Sequence, residues 1–244
     1  MAVACGNPFD GGAKDGGPND GATGELFSFF YTSLDAMRRL SGSEDGFGGD
    51  LRFGGAATGI EGADAICQSI GEDAGGVDKT WKAFLSATEG PGGGAVHAID
   101  RIGEGPWYDR KARLIANDVG GLIANRPQGD PEAVNDLPDE TGEGTRSLGT
   151  SNDVVTGSNK LGLLDDPNAD PTNTCMDWTS NTIERVRIST GHSWLISEVD
   201  NWMNAHYELS CKPGVRLDSG GVSDGSSIGA GGGWGGFYCF ALSP

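Results

Sequence analysis

The chain has 244 residues, 43 of them glycine, with 36% apolar residues and a formal charge of −18. That length holds one large domain or two small ones, and the glycine content forecasts many turns and long loops around a modest core. The charge excludes nucleic acid, heparin-like polymers and anionic membranes as fitting partners, because nothing would neutralise them, and no apolar run reaches the roughly 20 residues that span a bilayer.

In chain order, the first segment reads "MAVACG", where Ala2, Val3 and Ala4 precede Cys5 and a glycine follows. The pattern resembles the lipobox that ends a bacterial lipoprotein leader, with the apolar part upstream missing. Such a leader would be cut before Cys5, which would then carry lipid. Residues 1–24, rich in Gly, Asp and Asn, read as a flexible tether, and one domain is expected over residues 25–244.

"ELFSFFYTS" (25–33) reads as the first strand. "SLDAMRRLSG" fits a short helix with Ser33 as N-cap and Gly42 beyond its end. In "GIEGADAICQSI" (59–70), Ala63, Ile66, Cys67 and Ile70 fall at i, i+3, i+4 and i+7, the apolar stripe of a helix that exits at Gly75–Gly76. "TWKAFLSA" (80–87) reads as a core strand. Trp107–Tyr108 and Leu114–Ile115 flank a charged turn, which predicts a hairpin. Asn117–Asp118 would cap a second short helix, "VGGLIANR", stopped by Pro127. Residues 127–152 read as a long acidic loop, "DVVTGSNKLGLL" and "TCMDWTS" as short strands, 180–210 and 212–233 as irregular, and "GGFYCFAL" (235–242) as a buried closing strand.

Setting Cys5 aside leaves Cys67, Cys175, Cys211 and Cys239. No two form a CxxC pair, which argues against a zinc knuckle. An even number in an exported chain favours disulfides, and four cysteines permit three pairings among which spacing does not choose.

The segments "GIEGADAICQ", "TWKAFLS", "DRIGEGPWYDRKARLIA", "NTCMDWTS", "GHSW", "NWMNAH" and "GGFYCFA" resemble, in that order, an endostatin-like domain, a variant of the C-type-lectin-like fold found in bacterial, often lipid-anchored, surface proteins. The resemblance covers about residues 26–242. It implies an α+β fold of twisted antiparallel sheets with two main short helices, long loops and two disulfides, paired Cys67–Cys239 and Cys175–Cys211. It also implies a role in adhesion or partner capture at the cell envelope or outside it. The zinc-binding N-terminal histidines of some endostatins have no counterpart, since no histidine precedes His97, and the acidic surface does not suit the family's heparin binding.

Nothing in the sequence marks catalysis. "GHSW" (191–194) lacks the second glycine of a nucleophile elbow, and no spacing singles out a Ser193–His206–Asp triad. A hydrolase built around His192 or His206 is a minority reading. Asp166, Asn168 and Asp170 offer hard oxygen donors at alternate positions, a candidate calcium site, although the Glu-Pro-Asn or Gln-Pro-Asp and Trp-Asn-Asp motifs of sugar-binding C-type lectins are absent. Asp130, Asp136, Asp139 and Glu140 read as solvated surface. Trp81 and Trp178 are assigned to the core, and Trp107 to its margin. Trp194, Trp202 and Trp234, together with His192 and His206, are the candidate ligand contacts. The expected function is non-enzymatic recognition of a protein or glycan through the loops. The alternatives are a calcium-assisted lectin, a self-assembling surface component and a hydrolase.

Overall fold

The computed structural model describes residues 24–166, 170–197, 200–218 and 223–243. Cys5 and the proposed tether therefore lie outside the described residues, apart from Gly24. The chain forms small antiparallel sheets with few helices and two disulfides, an α+β arrangement.

The first sheet has the order β1 (Phe29–Tyr31), β8 (Tyr238–Ala241), β2 (Trp81–Ala83). β8 lies between the other two, with Cys239 opposite both Phe30 and Ala83. That position explains its unbroken apolar run, because all four of its residues are buried. Around it pack Phe27, Phe29, Phe84, Trp107 and Trp202, with ring centroids 4.9–6.3 Å apart in tilted and edge-on pairs. Such pairs add about 0.5–1.5 kcal/mol each beyond area burial. Trp107 is fully buried rather than marginal, because its hairpin, β3 (Trp107–Tyr108) and β4 (Leu114–Ala116), lays the indole against Phe240.

Helix α1 (Leu34–Ser41) starts where expected: Ser33 Oγ accepts the Ala36 amide and Gly42 closes the helix at φ 68°. Helix α2 (Gly59–Asp73) extends three residues past the quoted stretch and opens with a capping box between Thr58 and Glu61. Its stripe of Ala63, Ile66, Cys67 and Ile70 is buried. Gly62 permits the close approach behind it, since a Cβ there would stand 2.0 Å from the Leu51 carbonyl oxygen. Cys67 joins Cys239, tying α2 to the central strand.

The second three-stranded sheet has the order β5 (Asp153–Val155), β6 (Glu184–His192), β7 (His206–Ser210). It corrects the reading of 180–210 as irregular. In β6 the arginines at 185 and 187 face solvent while Val186 and Ile188 are buried, an alternation that marks a half-buried strand.

"TCMDWTS" is not a strand. Cys175 to Trp178 form one turn of left-handed helix, with φ between 52° and 63°. Left-handed geometry costs about 1–2 kcal/mol per non-glycine residue, so it persists only where its surroundings fix it. Asp177 accepts from the Thr88 and Glu89 amides and from the Thr88 and Thr174 hydroxyls. Trp178 Nε1 donates to the Ser86 carbonyl at 2.9 Å. Cys175 is bridged to Cys211, just beyond β7. Both pairings that the endostatin resemblance implies are thus present.

The predicted second helix shrinks to one turn, α3 (Val119–Leu122), capped by Asp118. The 127–152 loop contains another turn, α4 (Pro131–Val134), capped by Asp130. Two of its acids are not solvated surface. Glu140 is tucked against Ser33, accepting its amide at 3.0 Å and its hydroxyl at 2.5 Å, and burial pushes its carboxyl above the usual range. Asp136 accepts the Thr145 amide at 3.0 Å and is likewise raised by burial. No helix among the described residues is long and apolar enough to cross a membrane. Two disulfides point to an oxidising, extracytoplasmic compartment.

Candidate functional site

The register of the second sheet gathers polar side chains on one face. Asp153 is opposite His192, and Thr190 is opposite His206, while Glu208 is opposite Ile188. Directly paired residues point the same way and alternate residues share a face. Asp153, His192, His206 and Glu208 therefore converge across three strands. Asp153, His192 and Glu208 are buried, and the His206 side chain remains 24% exposed.

Asp153 Oδ1 lies 2.9 Å from His206 Nε2 and 3.4 Å from His192 Nε2. The other oxygen, Oδ2, is buried and takes no N–H donor; the Glu208 carboxyl beside it can donate to Asp153 only when protonated. On its far side His192 turns Nδ1 toward Asp200 Oδ2, 3.2 Å away but not aligned as a hydrogen bond. Glu208 Oε1 accepts the Gly231 amide at 2.7 Å and Oε2 accepts the Ser223 hydroxyl at 2.5 Å. The glycine-rich segment closes over the cluster so tightly that a Cβ at Gly231 would meet Glu208 Oε1 at 2.3 Å and Asp153 Oδ2 at 2.4 Å.

Burial pushes the Asp153 carboxyl up, but its hydrogen bonds to the two imidazoles outweigh this and bring it down to about 2. Burial lowers His206, and the bond and charge of Asp153 more than reverse that, raising it to about 9. Glu208, desolvated and facing the charge of Asp153, is raised to about 8 in spite of its Ser223 bond. Near neutral pH the cluster therefore holds an ionised Asp153 against a protonated His206 and a protonated Glu208. Acid-base groups and metal ligands are both built from such strongly shifted, mutually dependent groups.

The loop leaving His192 is anchored at its start. Arg126, half-buried and lowered to about 10 by desolvation, donates to the carbonyls of Val134, His192 and Ser193. The Ser193 hydroxyl is buried and bonded to Thr145 Oγ1 at 2.6 Å, so it does not join the histidines. Trp194 is half-buried, with Nε1 donating to the Ser151 carbonyl at 3.2 Å and its own carbonyl accepting Asn152 Nδ2 at 2.8 Å. The Arg146 guanidinium lies over its ring at 5.2 Å, and Ile196 beyond it is 59% exposed. Asp200 Oδ2 fixes this tip by accepting the Ile196 and Ser197 amides, both at 2.9 Å.

Of the predicted contacts, His192 and His206 meet, with ring centroids 5.1 Å apart, and Trp194 follows His192 by two residues and is partly open to solvent. Trp202 and Trp234 do not belong to a binding face. Trp202 is buried, donating to the Leu122 carbonyl at 2.9 Å, and Trp234 is stacked on Tyr31 at 5.1 Å, donating to the Thr32 carbonyl. Long loops here fold inward, and their indoles become core. In the candidate calcium loop, Asp166 Oδ2 accepts the Asp170 amide at 2.9 Å and Asn173 Nδ2 at 3.0 Å, while Asp170 caps Thr172. Both carboxylates serve the loop's own backbone, and Asn168 lies outside the described residues.

Sequence reasoning missed Asp153, Asp200 and Glu208, three carboxylates among 35 acidic residues. One signal was available: His206, Glu208 and Ser210 alternate with Tyr207 and Leu209, a strand pattern with an unusually polar inner face. No known protein family, curated protein or solved structure matches this chain.

Proposed function

We propose that the chain is an extracytoplasmic, non-enzymatic recognition module of endostatin-like, C-type-lectin-like architecture that captures a protein partner through the loop beginning at Ser193. The observation that carries this reading is the Trp194–Arg146 pair, partly open to solvent beside the exposed Ile196 and mounted on a backbone held by Arg126, Asn152 and Asp200. Tryptophan and arginine dominate protein-binding hot spots, and a pre-ordered loop avoids the entropy of ordering on contact. The two disulfide pairs support the architecture, and the "VACG" segment supports a lipid anchor at Cys5. The formal charge of −18 favours partners with basic surfaces.

The test is binding of the full chain to a panel of immobilised extracellular-matrix proteins, run beside a glycan array. Wild type should bind at least one protein, and Trp194→Ala should weaken it about 30-fold or more, the loss of a ~2 kcal/mol hot spot. Unchanged binding by Trp194→Ala, or binding confined to the glycan array, would overturn the proposal.

A further inference from the structure

We propose that Asp153, His192 and His206 form a binding site for one divalent first-row transition ion of the zinc type, with an open position toward the solvent side of His206. The inference rests on the arrangement of the side chains and is independent of what Trp194 binds.

One donor atom from each of the three residues lies within 4.8 Å of the others. Two imidazoles and one carboxylate are the donor set of many zinc and non-haem iron centres. Zinc arms of about 2.0–2.1 Å in tetrahedral geometry separate neighbouring donors by about 3.3 Å. The two Nε2···Oδ1 separations of 2.9 and 3.4 Å bracket that edge. An ion between them would meet two of its donor spacings close to those it requires.

A hydrogen-bonded network alone accounts for the same atoms poorly. It directs both imidazoles at one oxygen of Asp153 and leaves the second contact long at 3.4 Å. A cation placed among the three side chains would take both imidazoles and Oδ1 at comparable distances.

The surroundings fit as well. His192 presents Nε2 to the centre and Nδ1 toward Asp200 Oδ2 at 3.2 Å; a metal at Nε2 would leave the ring proton on Nδ1 facing that carboxylate, and a small rotation would complete the carboxylate–histidine–metal order that fixes ring orientation and raises ligand basicity. The ligands sit on paired strands, Asp153 directly across from His192, and such elements hold a site more tightly than loops do. The 24% exposure of the His206 side chain leaves a path from solvent. An ion here would clasp the ends of β5, β6 and β7 and brace the loop between His192 and His206.

The experiment uses the full oxidised chain in a Cys5→Ser background, stripped with a chelator, so that no cysteine outside the disulfides competes. Titration with zinc in excess calcium should give one equivalent bound, because calcium occupies surface carboxylates and leaves imidazole sites alone. Asp200→Asn should weaken zinc 10–100-fold, while His206→Ala should abolish stoichiometric binding with the near-ultraviolet dichroism retained. Should His206→Ala fail to fold, cobalt loading of the parent protein decides: visible d–d bands of a four- or five-coordinate ion with hyperfine-shifted imidazole N–H resonances support the site. No zinc equivalent on the folded parent, zinc affinity unchanged in both variants, or a cobalt spectrum of the hexa-aqua type would each overturn it.

Discussion

Removing the Cys67–Cys239 bridge should cost more than removing Cys175–Cys211, and loop length sets the difference. The sequence separations are 172 and 36 residues. Chain-entropy estimates give about 5.2 and about 3.8 kcal/mol, a gap of about 1.4 kcal/mol. The inner bridge lies within the outer loop and shortens it, but the logarithm reduces the outer figure by only about 0.2 kcal/mol. All four cysteines are fully buried, so paired substitution by alanine leaves similar packing deficits at both bridges and the deficits largely cancel in the comparison. Urea unfolding of Cys67→Ala/Cys239→Ala and of Cys175→Ala/Cys211→Ala, followed by tryptophan fluorescence, measures both losses by linear extrapolation. At about 2–4 °C per kcal/mol for a domain of this size, the melting points should fall by roughly 10–20 °C and 8–15 °C. An inner-bridge loss equal to or larger than the outer one would refute the entropic reasoning.

Three further outcomes follow from single contacts. Asp177→Ala leaves two amides and two hydroxyls without their acceptor in the left-handed turn and should cost about 3 kcal/mol, read as a lower urea midpoint; a loss under about 1 kcal/mol would mean the disulfide alone holds the turn. Gly231→Ala forces a Cβ into the Asp153 and Glu208 carboxylates and should destabilise by about 1–3 kcal/mol, whereas a neutral result would show that the glycine-rich segment does not cover the cluster. Burial raises Glu140, so the folded chain keeps a proton that the unfolded chain releases near its ordinary value. Its contribution therefore becomes less favourable as pH rises from the ordinary carboxylate range through the raised value. Glu140→Gln should flatten that part of the stability–pH curve, and an unchanged slope would contradict the assignment.

The elements legible in the sequence are those whose side chains repeat with a fixed period and one buried side. The stripe of α2, the cap of α1 and the apolar run of β8 appear where the residues place them. The left-handed turn was not legible, because "CMDW" carries neither glycine nor asparagine to announce positive φ; distant partners such as Thr88 and Cys211 impose it. β6 was missed because Arg185, Arg187 and Ser189 dilute its apolar content, although its alternation was present. Trp202 and Trp234 were misassigned because loop sequence does not reveal which way a loop folds. His192 and His206 were legible as rare residues among three histidines. Their convergence on Asp153 depends on strand register, which pairs residues 39 and 53 positions apart and which no local pattern encodes.

The central claim is that Asp153, His192 and His206 form one centre at the start of the loop proposed for recognition. Anomalous diffraction at the zinc absorption edge, from crystals of the full chain grown with one equivalent of zinc, tests it directly. A single strong peak is expected about 2.0–2.1 Å from Nε2 of both histidines and from the Asp153 carboxylate. Zinc found only on surface carboxylates, with the 2.9 Å contact between His206 and Asp153 intact, would contradict it.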